Sequence, residues 1–190
     1  MKKILSFFVF IIILGSLSAQ DKFTDRRDGN VYRTINISGV TWMAENLKYK
    51  AKDGVSFFDN NSNNISDYGV LYEWKTATTA CPTGWHLPSG SDFRTLAIYY
   101  DQNGTWGKNA SDSTSFGLQL GGMLDYEGTF SEVGESCYFW TSTEYDSTDS
   151  EYFSYLLMDQ MPIIDISRPE DITDMHGTEK ANKYSVRCIK

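Results

Sequence analysis

The chain has 190 residues, 25 of them acidic and 17 basic, with a formal net charge of −8 and an aromatic content of 15%. Such a balance argues against nucleic acid as a partner, because phosphate binding requires a basic patch; it favours solubility, cations or neutral ligands. The length suits one domain with its own hydrophobic core and makes a second domain unexpected.

At the N-terminus, Lys2 and Lys3 precede an apolar run from Ile4 to Leu14 that only Ser6 interrupts. That run is too short to span a bilayer, which takes roughly 20 residues. Small residues follow at Gly15, Ser16, Ser18 and Ala19, as a signal peptidase requires. Residues 1–19 are therefore expected to be a cleaved export signal, cut after Ser18 or after Ala19, with residues 20–27 a short polar leader and residues 28–190 a single domain. No membrane span is expected. Leu17-Ser18-Ala19 is similar to the start of a lipoprotein signal, but Gln20 stands where the lipid-bearing cysteine would be. The expected location is thus extracytoplasmic, whether secreted, at the cell surface or periplasmic, and not as a lipoprotein. Losing Lys2 and Lys3 leaves 15 basic against 25 acidic residues, about −10.

Asp28-Gly29-Asn30 reads as a turn. Val31 to Ile35 and Val40 to Met43 then alternate as two strands joined through Asn36 to Gly39, a hairpin pattern. Asp59 to Asn64 is a polar loop. Leu71 to Thr79 predicts a short helix and Ser89 to Tyr100 a longer one, opened by a capping box between Ser89 and Asp92. Its apolar face carries Phe93, Leu96, Ala97 and Tyr100. Beyond Gly121 the pattern is one of strands and loops. Early helices with many non-local strands indicate an α+β fold.

The chain has three cysteines, Cys81, Cys137 and Cys188. Export to an oxidising compartment allows two of them to pair. A Cys81–Cys188 bridge would tie the end of the chain to its middle and close a long loop, worth roughly 4 to 5 kcal/mol in the chain-entropy model. Three buried thiols are the alternative. The spacing fits no zinc site: there is no C-x-x-C, and the only histidines are His86 and His176.

Six ordered blocks carry a family resemblance: Asp28 to Tyr32, Trp42 to Leu47, Tyr68 to Trp74, Ala80 to Pro88, Tyr138 to Glu144 and Tyr184 to Cys188. Together they resemble the Fibrobacter succinogenes major paralogous domain, a family of exported bacterial proteins, over residues 28–190. The resemblance implies a C-type-lectin-like fold, with two helices flanking a small, mainly antiparallel sheet and a long-loop region carrying the variable surface. It implies no established activity. Formylglycine-generating enzymes share that fold, and His86-Leu87-Pro88-Ser89 is similar to their Arg-Leu-Pro-Thr segment. Those enzymes bind copper through two closely spaced cysteines, however, and Cys188 has no such neighbour. Nucleophilic catalysis needs a base within hydrogen-bond reach, and His86 and His176 offer no complete set. The chain is expected not to be an enzyme.

Lectins of this fold commonly bind sugar through Glu-Pro-Asn or Gln-Pro-Asp with Trp-Asn-Asp, and none of these occurs. Two oxygen-rich stretches could instead serve a hard cation. Asp59, Asn61, Asn63 and Asp67 are spaced like part of an EF-hand loop, without its glycine or terminal glutamate. Glu144, Asp146, Asp149 and Glu151 offer four carboxylates, which makes calcium the candidate cofactor. Trp42, Trp74, Trp85, Phe139 and Trp140 are expected to build the core. Tyr145, Tyr152, Phe153 and Tyr155 are the candidate ligand-binding aromatics, since stiff rings bind with little entropy loss. Met161 to His176 reads as an insertion packed on the long-loop region. The expected function is a binding module that contacts a glycan or an extracellular protein through residues 125–176. An enzyme or accessory of polysaccharide breakdown and a structural surface component are the alternatives. Ligand and oligomeric state are not encoded in any recognisable motif.

Overall fold

The computed structural model describes residues 21–103, 116–144, 147–158, 161–165 and 178–190. A three-stranded antiparallel sheet opens the chain, in the order β1 (Lys22–Thr24), β2 (Val31–Ile37), β3 (Val40–Met43). The segment read as a polar leader contributes β1, whose Lys22 stands opposite Arg33 and Thr24 opposite Val31. The predicted hairpin forms, with Ile37 opposite Val40. Ser38 and Gly39 make its tip at φ 53° and 87°, the left-handed geometry that matches a two-residue turn to the twist of its strands.

The remaining strands are β4 (Val55–Ser56), β5 (Leu71–Glu73), β6 (Gly121–Leu124), β7 (Phe130–Val133), β8 (Ser136–Glu144), β9 (Asp149–Met158), β10 (Met161–Asp165), β11 (Thr178–Glu179) and β12 (Lys183–Ser185). They form one sheet in the order β10-β9-β8-β6-β12-β5-β4, with β7 added on β6 and β11 on β9. Strand β8 runs parallel to β6 and β12, while the other pairings are antiparallel. Among the described residues three α-helices accompany this sheet, α1 (Ile65–Tyr68), α2 (Trp74–Ala80) and α3 (Gly90–Asn103). The fold is mixed α+β with few helices. None of the described helices is long and apolar enough to cross a membrane.

One predicted helix divides in two. Leu71 to Glu73 form β5, pairing with β12 on one side and β4 on the other, and only from Trp74 does the chain turn helical. Val70, Leu71 and Tyr72 are all buried, and such a continuous apolar run suits a strand covered on both faces as well as it suits a helix. Helix α3 follows expectation. Ser89 N donates to Asp92 Oδ2 at 2.7 Å, and Asp92 N donates to Ser89 Oγ at 3.3 Å. Phe93, Leu96, Ala97 and Tyr100 are buried along one face.

The apolar core gathers in two clusters. One holds Tyr32, Met43, Leu47, Val70, Tyr72, Trp140, Tyr184 and Val186. The other holds Trp42, Leu96, Phe116 and Phe139 around Phe93, and Trp42 meets Phe93 and Phe116 edge-on at 5.2 and 5.4 Å. Trp42, Trp85, Phe139 and Trp140 are core residues, as expected, whereas Trp74 is only half-buried.

The C-terminal segment joins these layers. Leu47 N donates to Val186 O, Met43 N to Cys188 O and Thr41 N to Lys190 O, while His86 and Ile189 exchange both backbone bonds at 2.9 Å. Within this segment Arg187 is completely buried. Its Nε donates to Asn46 Oδ1 at 3.0 Å, Nη2 to Gly117 O at 2.5 Å, and Nη1 to Phe116 O. The guanidinium also lies 4.3 Å from the centre of the Phe116 ring. Burial pushes Arg187 down to about 9, so it remains a cation at neutral pH. Asn46 completes the hub: its Nδ2 donates to Tyr68 O at 2.9 Å and to Ser185 Oγ at 3.2 Å, and its N–H to Gln119 Oε1 at 2.6 Å.

Cys81 and Cys188 form a disulfide across a sequence separation of 107 with Cα atoms 5.8 Å apart, and Cys137 is a buried thiol outside the bridge. Closing a loop of this length stabilises the fold by about 4.7 kcal/mol in the chain-entropy model. A Cys81→Ser/Cys188→Ser variant should therefore melt roughly 10 to 20 °C lower in a thermal scan, and an unchanged melting temperature would contradict that account. Arg187→Lys keeps the charge but replaces a planar fork with a single point of donation. It leaves acceptors among Asn46, Phe116 and Gly117 unsatisfied, and urea titration should show a loss of about 2 to 4 kcal/mol.

Candidate functional site

The turn between β6 and β7 is built by Asp125 and Gly128. Gly128 N donates to Asp125 O at 3.1 Å and Thr129 N to Asp125 Oδ1 at 2.8 Å. An aspartate at the first position and a glycine at the fourth are the residues this turn favours. Tyr126, the second residue, is 59% exposed. Its backbone N–H donates to Asn182 Oδ1 at 2.8 Å.

Asn182 sits in the turn between β11 and β12 and passes the connection inward. Its Nδ2 donates to Thr178 Oγ1 at 2.9 Å, and Thr178 Oγ1 shares a 2.9 Å hydrogen bond with Tyr184 OH. Tyr184 is stacked on Tyr138 at 5.2 Å and tilted on Trp140 at 4.5 Å. A single chain of contacts thus runs from the exposed Tyr126 backbone to a buried tryptophan. Side chains held by a rigid scaffold in this way lose little freedom on binding.

Tyr126, Thr148, Thr178, Glu179, Lys180 and Asn182 line a cleft of about 690 Å3, within the range of small-ligand sites. Lys180 N donates to Thr148 O at 3.0 Å, and Trp74 N to Lys180 O at 3.2 Å. The Lys180 ammonium donates to Glu144 Oε1 at 2.5 Å and lies 4.6 Å from the centre of the Trp74 ring. Trp74 is itself fixed by its indole N–H on Thr141 O at 2.9 Å. The Lys180 ammonium and the Glu179 carboxylate line the cleft, beside two threonine hydroxyls, an amide and the Tyr126 ring. Those groups suit a neutral ligand rich in hydroxyls.

The residues singled out in the sequence lie around this cleft in different ways. Glu144 ends β8 opposite Ser150 and forms the ion pair with Lys180. Asp149 begins β9 and stands opposite Glu179 of β11. Glu151, Tyr152, Phe153 and Tyr155 belong to β9, with Tyr152 opposite Trp140, Phe153 opposite Phe139 and Tyr155 opposite Cys137. Tyr145 and Asp146 lie outside the described residues, as does His176. The strand registers therefore bring Glu144, Asp149 and Glu179 to one end of the sheet. Among the described residues no group of three or more His, Cys, Asp or Glu is placed to hold a metal ion. The other oxygen-rich stretch, around Asp59 to Asp67, folds into 3-10 turns at Phe58–Asn60 and Ser62–Asn64, where Asn61 Oδ1 accepts from Asn63 N. His86 is exposed, and its role visible in the fold is the backbone pairing with Ile189.

Tyr126 and Asn182 were not singled out from the sequence. The signal that could have found Tyr126 is Asp125-Tyr126-Glu127-Gly128, a turn that projects a large ring between two strands. Asn182 had no comparable signal, because its partner is 56 residues away. Calcium calorimetry tests the acidic loop. Binding there should give an isotherm that vanishes in an Asp146→Ala/Asp149→Ala variant, and a flat titration of the unaltered chain would remove calcium from the site.

Comparison with known proteins gives one family. The family model described as the Fibrobacter succinogenes major domain matches residues 35–190. None of the curated proteins compared with the chain matches it.

Proposed function

The chain belongs to the Fibrobacter succinogenes major domain family, and from that premise we propose that it is an exported, non-catalytic binding module of C-type-lectin-like fold that takes a glycan on its long-loop face. Several features support the fold assignment. The C-terminal segment pairs with β3, where Thr41 and Lys190 exchange backbone bonds at 3.0 Å, and helices α2 and α3 accompany the larger sheet.

The ligand class rests on Tyr126, an exposed ring at the rim of a cleft whose other groups are hydroxyls, an amide, the Glu179 carboxylate and the Lys180 ammonium, which is paired with Glu144. A tyrosine offers a flat apolar face with a polar tip, and the threonines and Asn182 offer the hydrogen-bonding partners that sugar hydroxyls require. Export, through removal of residues 1–19, places the module where polysaccharides and surface proteins are found.

A glycan array probed with residues 20–190 tests the proposal. A neutral oligosaccharide should bind, and Tyr126→Ala should weaken it by roughly tenfold, about 1.4 kcal/mol. Because the ring is exposed, the melting temperature of that variant should stay within about 1 °C. An array without a hit, or a hit indifferent to Tyr126, would overturn the glycan assignment; turnover of a polysaccharide by the purified chain would overturn the non-catalytic one.

A further inference from the structure

A second cleft, sharing no lining residue with the first, lies between the turn after β1, the stretch after β3, and helix α1 with the 3-10 turn before it. Its volume is about 760 Å3, and its lining includes Arg27, Asp28, Lys48, Tyr49, Lys50 and Asn63. Three cations face one carboxylate there, in a chain whose net charge is −8. With the carboxylates of Asp25 and Glu45 behind Arg27 and Lys48 counted, the charges there are near balance in an otherwise acidic chain, so this place opposes an anion less than the surface at large does.

The cations differ in what they are already doing. Arg27 is held from behind by Asp25, which is completely buried: Nε donates to Oδ1 at 3.0 Å and Nη2 to Oδ2 at 2.7 Å. Its guanidinium carbon stands over the Tyr49 ring, 3.7 Å from the ring centre. Fixed on both sides, it presents a pre-oriented donor edge, the geometry that suits a carboxylate. Lys48 is shared with Glu45 at 3.3 Å. Lys50 is exposed and has no carboxylate partner among the described residues, its ammonium standing 5.7 Å from the centre of the Phe57 ring. Around these charges stand the side chains of Asn30, Ser62, Asn63 and Ser66, hydroxyl and amide groups that a bare anion does not need and a sugar does.

We propose that this cleft binds an oligosaccharide bearing carboxylate groups, with Arg27 and Lys50 on the carboxylates and the serine and asparagine side chains on the sugar hydroxyls. The site is independent of the Tyr126 cleft and does not rest on the function proposed there.

The test is calorimetry on residues 20–190 with a uronic-acid tetrasaccharide, a neutral tetrasaccharide of the same length, and inorganic phosphate. The uronic-acid probe should bind, weaken as salt is raised from low to physiological ionic strength, and lose about tenfold or more in affinity in Lys50→Gln, an exposed position whose ammonium stands over the Phe57 ring. Tyr126→Ala should leave this binding unchanged, which separates failure of this site from failure of the other. Equal binding of the neutral and charged sugars would overturn the proposal, as would binding indifferent to Lys50→Gln. Binding of phosphate without the uronic-acid probe would reduce the cleft to a simple anion site and overturn it as well, and so would no binding by any probe.

Discussion

Burying the Arg187 guanidinium with no carboxylate in hydrogen-bond contact among the described residues is the constraint around which the fold is organised. Removed from water, Arg187 has to find acceptors for its donors, and among the described residues it finds them in Asn46 and in the carbonyls of Phe116 and Gly117. A charge in that position is costly unless its hydrogen bonds are met. Each acceptor therefore has to be held in place by something else. Asn46 is fixed by Tyr68, Gln119 and Ser185. Gly69 shows how tight the arrangement is: a Cβ there would stand 2.6 Å from Asn46 Cβ, on a backbone already at φ 78°. Through Ser185 the same hub positions β12, and β12 carries Tyr184, on which the inner end of the Tyr126 cleft is built.

How far the sequence foretold this depended on whether the signal was local. The β2–β3 hairpin and the cap of α3 were legible because each is decided within a few residues: Ser38 and Gly39 supply the turn, and Ser89 and Asp92 satisfy one another. The Cys81–Cys188 pairing was legible from redox chemistry and loop length. Leu71 to Glu73 misled, because the short apolar run from Val70 to Tyr72 has no period to read, and Gly69 before it marks a boundary without saying whether a strand or a helix follows. Strand β10 was hidden for a different reason. Pro162 argues against a strand, yet β10 is an end strand of the sheet, where a missing N–H can face away from the ladder. The asparagine that sets the Tyr126 turn acts across the chain, and the hub at Arg187 draws on residues some 70 and 141 positions away. Nothing in a single sequence announces contacts of that range.

The two clefts show how one acidic chain holds surfaces of different character. Near Tyr126 a lysine is neutralised by Glu144 and covered by Trp74, so that ring and hydroxyls are left to do the recognition. Near Tyr49 the pattern is reversed. The aromatic ring is covered by Arg27, and the charges are what remains presented. In both places a cation lies over an aromatic face; the difference is whether a carboxylate close by consumes the charge. Arg27 has such a carboxylate as well, but Asp25 engages it from the buried side and leaves its outer edge available.

Cys137 carries a consequence for how the chain reaches this state. It lies between the two bridged cysteines in sequence, so an oxidising environment offers an unfolded chain three pairings, two of them wrong. In the folded molecule it is enclosed in β8, with no exposed surface, and thiol exchange requires access to the attacking sulfur. Formation of β8 in the sheet is thus also a sorting step. Chains that close the sheet before oxidation are committed to the Cys81–Cys188 bridge, whereas chains oxidised early must reopen a mispaired bond before the Cys137 strand can be inserted. In an oxidising environment, closing the sheet before oxidation would therefore favour the native pairing.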